Sequence, residues 1–345
     1  MPQLSAEIQQ KEDVRGVEVP GRHPHFGPGL RLRCLNCESS MQTFPYGALA
    51  NELDPIVCKT CSWEIAQSQG IWMALLPGRK DYFRQFMKEY GLVREREGRD
   101  SSNSQFYLAL PHRDVTGRHS WQWSIRSKTY RYIQQSILPL LSHGPNSPLS
   151  ILDLGAGHGW LSYRLARLGH RPVAVDLLMN QGDGLAAASH YRVVLPYLFP
   201  RFQAELDRLP FAGNQFDCSI FNASFHYSEN YEQTLAEAIR CVRPGGMIII
   251  ADTPWYSQEE YGQLMLKERR GEFQRQFGFA SDSLSSCEYL TDERLAALEV
   301  QHEIEWEIHR PWYGFRWALR PHLAKWRRRR EPAEFRIYMA RVKAP

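Results

Sequence analysis

Beyond residue 150, short apolar runs alternate along the chain with segments whose apolar residues recur at helical spacing. The runs at residues 151–154, 172–176, 216–222 and 247–252 have the length of buried strands, and residues 202–206 supply a fifth. Strands that alternate with helices are typical of a parallel sheet covered by helices on both faces. The pattern therefore predicts an α/β fold with a doubly wound, Rossmann-like sheet.

Two other stretches add to this sheet. Residues 299–309 and 335–342 alternate apolar with polar positions, which predicts a pair of half-buried strands at its end. An apolar stripe ahead of the first strand predicts a helix that packs on the sheet. The residues of that stripe are Trp121, Ile125, Ile133, Ile137 and Leu141.

The first predicted strand runs directly into a glycine-rich turn, Asp153-Leu-Gly-Ala-Gly-His-Gly159. Glycine lacks a Cβ and adopts positive φ, so such a turn bends sharply and lets a ligand approach the main chain. Asp176 ends the second strand, where a carboxylate can bind ribose hydroxyls. Both features suit a nucleoside cofactor. A dinucleotide-binding turn is the alternative, but its G-x-G-x-x-G pattern places the third glycine one position later.

Two further motifs follow in chain order. Residues 205–211 hold an acid and then Leu-Pro-Phe, with Phe-Asp at 216–217, and residues 242–246 read Val-Arg-Pro-Gly-Gly before an apolar strand. Together with the glycine turn, they resemble the class I S-adenosylmethionine (SAM)-dependent methyltransferases. The resemblance implies a seven-stranded methyltransferase sheet, SAM as the cofactor, and an enzyme rather than an NAD-binding protein.

The resemblance also assigns site residues by position. The cofactor contacts it implies are Asp153 (methionine amino group), Gly155 and Gly157 (methionine and ribose), Asp176 (ribose hydroxyls), Glu205 and Leu206 (adenine) and Asn222 (end of the fourth strand). His226 and Tyr227 come where the family places groups near the transferred methyl. His226 is the candidate general base because imidazole titrates near neutral pH, and Tyr227 would shape the pocket. The alternative for His226 is a loop cap that only touches the cofactor.

Four of the seven cysteines form two C-x2-C pairs, Cys34 with Cys37 and Cys58 with Cys61, separated by twenty residues. Four thiolates at this spacing can surround Zn²⁺ as a tetrahedron, which predicts a structural zinc ribbon. The segment resembles the small zinc-ribbon activator subunits of RNA and protein methyltransferases. Four unrelated free thiols are the alternative.

These features divide the chain into four predicted parts. Residues 1–30 are polar and rich in glycine and proline, which indicates a flexible arm, and residues 31–78 form the zinc ribbon. Residues 79–119 are charged and aromatic, and we expect them to link the ribbon to the catalytic domain and to cover the cofactor. Residues 120–345 make the methyltransferase domain.

Composition places the chain among ordinary globular proteins, with 43% hydrophobic and 23% charged residues. We expect no membrane insertion, because no apolar run approaches the ~20 residues that span a bilayer, and the N-terminus lacks the apolar core of a signal peptide. A cytoplasmic protein is therefore predicted. The net charge of +4 permits an anionic partner without requiring one, and the oligomeric state is left open.

The methyl acceptor is not specified by these motifs, and three hypotheses stand. The first is a small molecule or biosynthetic intermediate, held in an apolar pocket walled by Trp255, Tyr256, Trp312, Tyr313 and Trp317. The second is an RNA base, with the ribbon in recognition and phosphates bound by an arginine run beside Trp326, at residues 327–330. The third is a SAM-binding partner protein without catalysis.

Overall fold

A computed structural model describes residues 29–47, 54–141, 144 and 147–343. The predicted arm, residues 1–30, lies outside the described residues apart from its last two positions. None of the helices in the described ranges has the length and apolar content needed to cross a membrane.

Fourteen strands are present in the described ranges. They are β1 (Leu30–Arg33), β2 (Ser40–Phe44), β3 (Ile56–Val57), β4 (Glu64–Ser68), β5 (Ile71–Met73), β6 (Ser150–Leu154), β7 (Arg171–Asp176), β8 (Arg201–Gln203), β9 (Phe216–Asn222), β10 (Val242–Ala251), β11 (Pro254–Trp255), β12 (Glu307–His309), β13 (Glu334–Phe335) and β14 (Ile337–Arg341). The α-helices are α1 (Pro77–Arg96), α2 (Ser104–Ala109), α3 (Ser120–Tyr132), α4 (Trp160–Arg167), α5 (Tyr231–Cys241), α6 (Glu259–Phe277), α7 (Asp292–His302), α8 (Phe315–Ala318) and α9 (Arg320–Trp326). Helix α3 continues as a π turn and a 3-10 turn to Leu141, and a 3-10 helix spans Leu185–Val193.

The central sheet has ten strands in the order β12-β14-β10-β9-β6-β7-β8-β5-β4-β3. Five neighbouring pairs, from β10 through β5, are parallel, and the pairs at both ends are antiparallel. The seven strands from β12 to β8 are the predicted seven-stranded sheet, which is confirmed. The three strands beyond β8 come from the ribbon segment.

Both faces of the sheet are buried, because successive side chains of a strand point to opposite faces. In β6, Leu152 and Leu154 join one apolar core while Ile151 joins a second. In β10, Ile248 and Ile249 divide between the same two cores. Strands buried on both sides read as continuous apolar runs, which is why their positions could be predicted from sequence.

The ribbon segment is continuous with the sheet rather than tethered beside it. Strand β5 pairs in parallel with β8 through Trp72 and Phe202, and Trp72 is fully buried. The main-chain N–H of Arg33 donates to Pro210 O at 3.0 Å, and the fully buried Leu32 packs in the same core as Phe202. The division into ribbon, linker and catalytic domain stays a prediction, but the ribbon segment and the sheet share one hydrophobic core.

The strand predicted at residues 299–309 is wrong for most of its length. Helix α7 occupies it as far as His302, because the Thr291 side chain caps the helix by accepting from Arg294 N at 3.3 Å. Glu303 at φ 54° ends the helix. The alternation was misleading because Val300, assigned to the buried face, is 82% exposed.

A second difference concerns residues 242–246, which were expected to end the preceding helix and to lie ahead of the fifth strand. Strand β10 instead begins at Val242 and pairs with β9, with a register shift before Met247. The glycines at positions 245 and 246 therefore form an irregularity inside the strand, and Gly245 adopts φ 76°.

Candidate functional site

A cavity lies at the carboxyl ends of β6, β7 and β9, the edge at which open α/β sheets bind ligands. Three parts of the chain wall it: the glycine turn, the segments that follow β7, β8 and β9, and two helices from the N-terminal half. The lining residues are Phe86, Tyr90, Arg94, Arg126, Gly155, Ala156, Gly157, His158, Trp160, Asp176, Leu177, Leu178, Asp183, Ala204, Leu206, Asn222, Ala223, Ser224 and Tyr227.

The glycine turn adopts the left-handed backbone that its sequence predicted, with φ values of 73°, 54° and 78° at Gly155, Gly157 and Gly159. The N–H groups of Gly155 and Ala156 both donate to Val175 O at 2.9 Å, which fixes the turn to β7. A Cβ on Gly155 would lie 2.2 Å from the Ser224 Cβ. Glycine is therefore required there both by the backbone and by the close approach of the loop after β9.

Asp176 lies on the cavity wall as predicted. Its carboxylate accepts from the Gly157 N–H and the Leu178 N–H, each at 2.8 Å. Burial raises its pKa to about 6, against these backbone hydrogen bonds, which lower it. The acid thus holds the middle of the glycine turn and presents its remaining lone pairs to the cavity.

Asp153 does not line the cavity. Its carboxylate is 2% exposed and accepts from the Ser162 N–H at 3.1 Å and the Ser162 hydroxyl at 2.7 Å. Burial raises its pKa to about 7. Asp153 thus ties the turn to α4, and its contact with the methionine amino group of the cofactor, directly or through water, stays a prediction.

Of the predicted adenine contacts, Leu206 lines the cavity and Glu205 does not. The Glu205 carboxylate is paired with Arg79 of α1 at 2.7 Å and is 3% exposed. Its Oε2 accepts from Arg79 Nε at 2.7 Å, and the contact of Glu205 with the adenine stays a prediction. Asn222, Gly155 and Gly157 do line the cavity.

The two candidate catalytic residues are placed differently. Tyr227 lines the cavity, where its ring meets the Tyr90 ring edge-on at 5.6 Å. His226 lies behind it, with ring centroids 4.3 Å apart, and its buried Nδ1 has no hydrogen-bond partner among the described residues. Burial lowers the pKa of His226 to about 4, against the nearby Glu288, which raises it. The imidazole is neutral at physiological pH and is one side chain removed from the cavity.

Helix α1 covers the cavity with Phe86, Tyr90 and Arg94, which are four residues apart and so share one face. Arg94 forms an ion pair with Asp183 at 3.0 Å, across the cavity mouth, and its guanidinium lies 4.6 Å from the Tyr90 ring centroid. These contacts were not identified from the sequence. The sequence predicted that residues 79–119 cover the cofactor, and the spacing of the two aromatic residues and the arginine was the available signal for the side chains that do so.

Helix α3 brings a second cation, Arg126, to the same cavity. Burial and the neighbouring Arg94 lower its pKa, while Asp252 raises it. No carboxylate within the described ranges lies at ion-pair distance from Arg126, whose guanidinium instead stacks over Trp123 at 4.9 Å. The cavity therefore offers a positive charge that is available to an anionic group of a ligand.

The aromatic residues that were expected to wall an acceptor pocket do not line this cavity. Among the described residues that wall the cavity, none comes from the set Trp255, Tyr256, Trp312, Tyr313 and Trp317. Trp255 and Tyr256 are buried against the C-terminal segment, whereas Trp312 is exposed. The aromatic walls come instead from α1, from Trp160 and from Tyr227.

The four predicted zinc ligands converge, with all four Sγ atoms within 4.8 Å of one another. Cys34 and Cys61 Sγ are 3.5 Å apart, and Cys37 and Cys58 Sγ are 3.6 Å apart. Zn–S bonds of about 2.3 Å in a tetrahedron place sulfurs about 3.8 Å apart, so the cluster fits Zn²⁺.

Each cysteine pair is held by the same backbone turn. Glu38 N donates to Cys34 O and Ser62 N donates to Cys58 O, both at 2.9 Å, and Glu38 and Ser62 have φ of 63° and 61°. The Ser39 hydroxyl lies 3.2 Å from Cys58 Sγ and is the main reason that the pKa of this thiol falls to about 5. Two matched turns that present four sulfurs inward have the arrangement of a closed, structural metal site.

Comparison with known proteins identifies the central part of the chain. Residues 152–250 match the family described as "Methyltransferase domain". A malonyl-[acyl-carrier protein] O-methyltransferase of Buchnera aphidicola is 30% identical over 115 residues, which cover 33% of this chain and 44% of that protein. A mitochondrial ubiquinone biosynthesis O-methyltransferase of Rattus norvegicus is 25% identical over 205 residues, covering 54% of this chain and 58% of that protein. The chain thus spans about half the length of these relatives.

Two solved structures are also similar. A methyltransferase of Bacillus halodurans gives a TM-score of 0.45 at 15% identity, covering 63% of this chain and all of that one. The 1,6-didemethyltoxoflavin-N1-methyltransferase of Burkholderia thailandensis gives 0.45 at 18% identity, covering 85% of this chain and all of that one. The family match spans β6 to β10 and agrees with the glycine turn and the Rossmann-like sheet, so residues 152–250 of this chain are identified as a methyltransferase domain.

Proposed function

We propose that the protein transfers a methyl group from SAM to a small-molecule acceptor. The observation that carries this proposal is the cavity at the glycine turn. It combines a main-chain surface without side chains at Gly155 and Gly157, a carboxylate at Asp176 and an available cation at Arg126. SAM has a ribose diol that donates hydrogen bonds and a carboxylate that needs a cation, so each group has a counterpart.

In this proposal each part of SAM is assigned to residues at the carboxyl end of one strand or in the segment that follows it. The ribose hydroxyls donate to Asp176, and the adenine lies against Leu178 and Leu206. Gly155 and Gly157 would leave room for the methionine part, and Arg126 would hold its carboxylate. Asn222 and Tyr227, on and after β9, would line the place of the transferred methyl group.

The reaction is an in-line displacement. A lone pair of the acceptor attacks the methyl carbon, the carbon–sulfur bond breaks, and its electrons remain on sulfur as S-adenosylhomocysteine (SAH). The protein needs to align the acceptor and to let its proton leave. We propose that Tyr227 contacts the reacting groups and that His226 positions Tyr227 from behind, because only Tyr227 lines the cavity.

The choice of a small molecule as the methyl acceptor rests on the cover over the cavity. Helix α1 closes the cavity from above, and the ion pair between Arg94 and Asp183 lies across its mouth. A folded RNA would require this cover to move aside, whereas a compact acceptor would not. The names of the relatives reported above agree with the proposal, since they act on an acyl-carrier-linked acid and in ubiquinone biosynthesis.

We also propose that the cysteine cluster binds Zn²⁺ as a structural ion. Four sulfur ligands leave no open coordination position for a substrate. The ribbon strands continue the central sheet at β8, so the metal would stabilise the edge from which α1 departs to cover the cavity.

The affinity for SAH is expected to depend on pH through Asp176. An ionised carboxylate accepts much stronger hydrogen bonds from the ribose hydroxyls than a protonated carboxyl group does, and burial raises the pKa of Asp176 to about 6. Affinity should therefore be constant above pH 7 and about tenfold weaker at pH 5, where roughly one carboxyl in ten is ionised. Calorimetric titration between pH 5 and 8 measures this dependence, and the Asp176→Asn variant should show a flatter profile. An affinity that rises as the pH falls would contradict the role of Asp176.

The stability of the unliganded protein should respond to pH in the opposite direction. A pKa of about 6, above the free value of 3.8, means that the folded chain binds more protons than the unfolded chain between these values. For this group alone, the free energy of unfolding rises as the pH falls through this window.

Truncation of Tyr227 is expected to weaken SAH binding by about fivefold, since the Tyr227→Ala variant loses an aromatic wall worth roughly 1 kcal/mol. The matched change His226→Gln should leave the affinity within about twofold, because His226 lies behind the wall. Titration of SAH into both variants at pH 7.5 tests whether Tyr227→Ala binds SAH more weakly than His226→Gln does. A larger loss for His226→Gln than for Tyr227→Ala would show that the imidazole reaches the ligand.

Transfer itself is tested by incubating the protein with a cell extract and SAM that carries a deuterated methyl group. The proposal predicts label in a small-molecule fraction, with none in the RNA fraction, and loss of the label with the Asp176→Ala variant. Label in RNA would favour the RNA alternative. Saturable SAM binding without transfer to any fraction would favour the non-catalytic partner.

A further inference from the structure

A basic segment without acidic residues follows β12. Residues 310–330, here named the 310–330 insert, contain seven arginines and one lysine but no aspartate or glutamate. The insert contains α8 and α9. Its composition contrasts with that of the whole chain, in which 42 basic residues are nearly balanced by 38 acidic ones.

Five large apolar side chains of this insert project into solvent. The exposed fractions are 62% for Trp312, 78% for Phe315, 52% for Leu319, 45% for Leu323 and 78% for Trp326. Single exposed apolar residues are ordinary on protein surfaces, but a continuous group of this size indicates a binding surface.

The main-chain hydrogen bonds show that these side chains share one face. Leu319 N donates to Phe315 O and Leu323 N donates to Leu319 O, both at 3.0 Å. Residues joined in this way are one helical turn apart and lie on the same side. Trp326 is three residues beyond Leu323, and the Trp312 ring packs edge-on against Phe315 with centroids 5.3 Å apart. The five side chains therefore form one stripe along α8 and α9.

The opposite side of the insert is fixed to the protein. Trp317 stacks on Phe335 with ring centroids 5.2 Å apart. Tyr313 shares a hydrogen bond with the Thr129 hydroxyl at 2.9 Å, and its carbonyl accepts from Lys128 Nζ at 2.6 Å. Since this inner face already has its packing partners, the apolar stripe is a second, outward face rather than a core that failed to close.

Basic side chains border the stripe on both sides. At 3.6 residues per turn, Arg316 and Arg327 fall along one edge and Lys325 along the other, and Arg329 follows the end of α9 at Trp326. Within the described ranges, none of these four has a carboxylate at ion-pair distance, and all four are exposed. By contrast Arg330 is paired with Glu268 at 2.6 Å, so acidic partners are found only beyond this surface.

We propose that the 310–330 insert docks the protein on the surface of a bilayer that contains anionic phospholipids. An apolar stripe with tryptophans near its ends and basic residues on its edges lies in the plane of a membrane interface. The arginines then meet lipid phosphates. Eight charges in the segment exclude a bilayer-spanning helix. RNA fits less well, because the centre of the stripe holds Leu319 and Leu323, which cannot stack on bases as aromatic platforms do.

Vesicle flotation tests the proposal with the full-length protein. Wild type should float with vesicles of 70% phosphatidylcholine and 30% phosphatidylglycerol but not with pure phosphatidylcholine. The triple variant Arg327→Gln, Arg328→Gln, Arg329→Gln should lower the partition coefficient by about 100-fold, at roughly fivefold for each arginine. The variant Phe315→Ser with Trp326→Ser should abolish flotation at physiological salt.

Matched controls separate docking from folding. The substitution Val300→Ser removes a side chain that is 82% exposed on α7, outside the insert, and should leave flotation unchanged. Every variant should keep the wild-type melting temperature and SAH affinity, because no insert residue lines the cavity. Absence of flotation with anionic vesicles would overturn the proposal. So would equal flotation of wild type and the Phe315→Ser, Trp326→Ser variant, or salt-sensitive binding to single-stranded RNA in place of vesicles.

Discussion

The Gly155→Ala variant is expected to lose about 3 kcal/mol or more in the free energy of unfolding. The left-handed backbone at Gly155, with φ 73°, costs an alanine roughly 1–2 kcal/mol. The added Cβ would also lie 2.2 Å from the Ser224 Cβ and 2.9 Å from its Oγ, and an overpacked contact of this kind typically costs about 1–3 kcal/mol. Because the loop after β9 must move, the cavity wall at Asn222 and Ser224 is displaced and SAH binding is lost as well.

The matched variant is Gly157→Ala, two residues along the same turn. Gly157 also has positive φ, 54°, but the nearest atom to an added Cβ is Asp183 O at 3.4 Å, an ordinary contact. This variant should lose only about 1–2 kcal/mol of stability while its Cβ obstructs the ligand surface. Chemical denaturation and SAH titration of both variants test the contrast. Equal destabilisation of the two variants would show that the contact between Gly155 and Ser224 does not constrain the fold.

Removal of zinc is expected to have the second large effect. The variant Cys37→Ser with Cys61→Ser should purify without zinc and should lose at least about 3 kcal/mol in the free energy of unfolding, since a structural metal contributes its binding energy to folding. The loss should extend beyond the ribbon, because β5 pairs with β8 in the central sheet and Trp72, a residue of β5, is fully buried. Metal analysis by mass spectrometry and a thermal melt measure both quantities.

Cys287→Ser provides the control for this experiment. Cys287 is a partly buried cysteine outside the cluster, so its replacement should leave the zinc content at one per chain and the melting temperature nearly unchanged. Less than one zinc in every two chains of carefully purified wild type, or unchanged stability of the double variant, would contradict a structural metal site.

Sequence reasoning located the central sheet well because its strands are buried on both sides. The predicted strand at residues 216–222 coincides with β9, and the strand ending in Asp176 coincides with β7 but for one residue. The four-cysteine cluster was also predicted correctly, because the spacing of the two C-x2-C pairs indicates which sulfurs can converge. Residues 299–309 were misassigned because helix capping at Thr291 outweighs the alternation of apolar residues.

The site was harder to predict where contacts come from distant parts of the chain. Asp153 and Glu205 carry the expected residue type at the expected positions, but one carboxylate oxygen of each is bound within the protein, by Ser162 and by Arg79 respectively. The cover formed by α1 depends on the pairing of Arg94 with Asp183, which are 89 positions apart in the sequence. A motif gives the position of an acid along a strand, whereas its hydrogen-bond partners depend on tertiary packing.

The most direct test of a SAM site at the glycine turn is calorimetric titration of SAH into wild type and the Asp176→Ala variant at pH 7.5. Wild type should bind one SAH per chain. Asp176→Ala should bind about 100-fold more weakly, because hydrogen bonds to a charged acceptor contribute roughly 1.5–3 kcal/mol each. The surface variant Asp282→Ala should match wild type. Absence of saturable binding to wild type, or equal affinity of wild type and Asp176→Ala, would contradict the assignment.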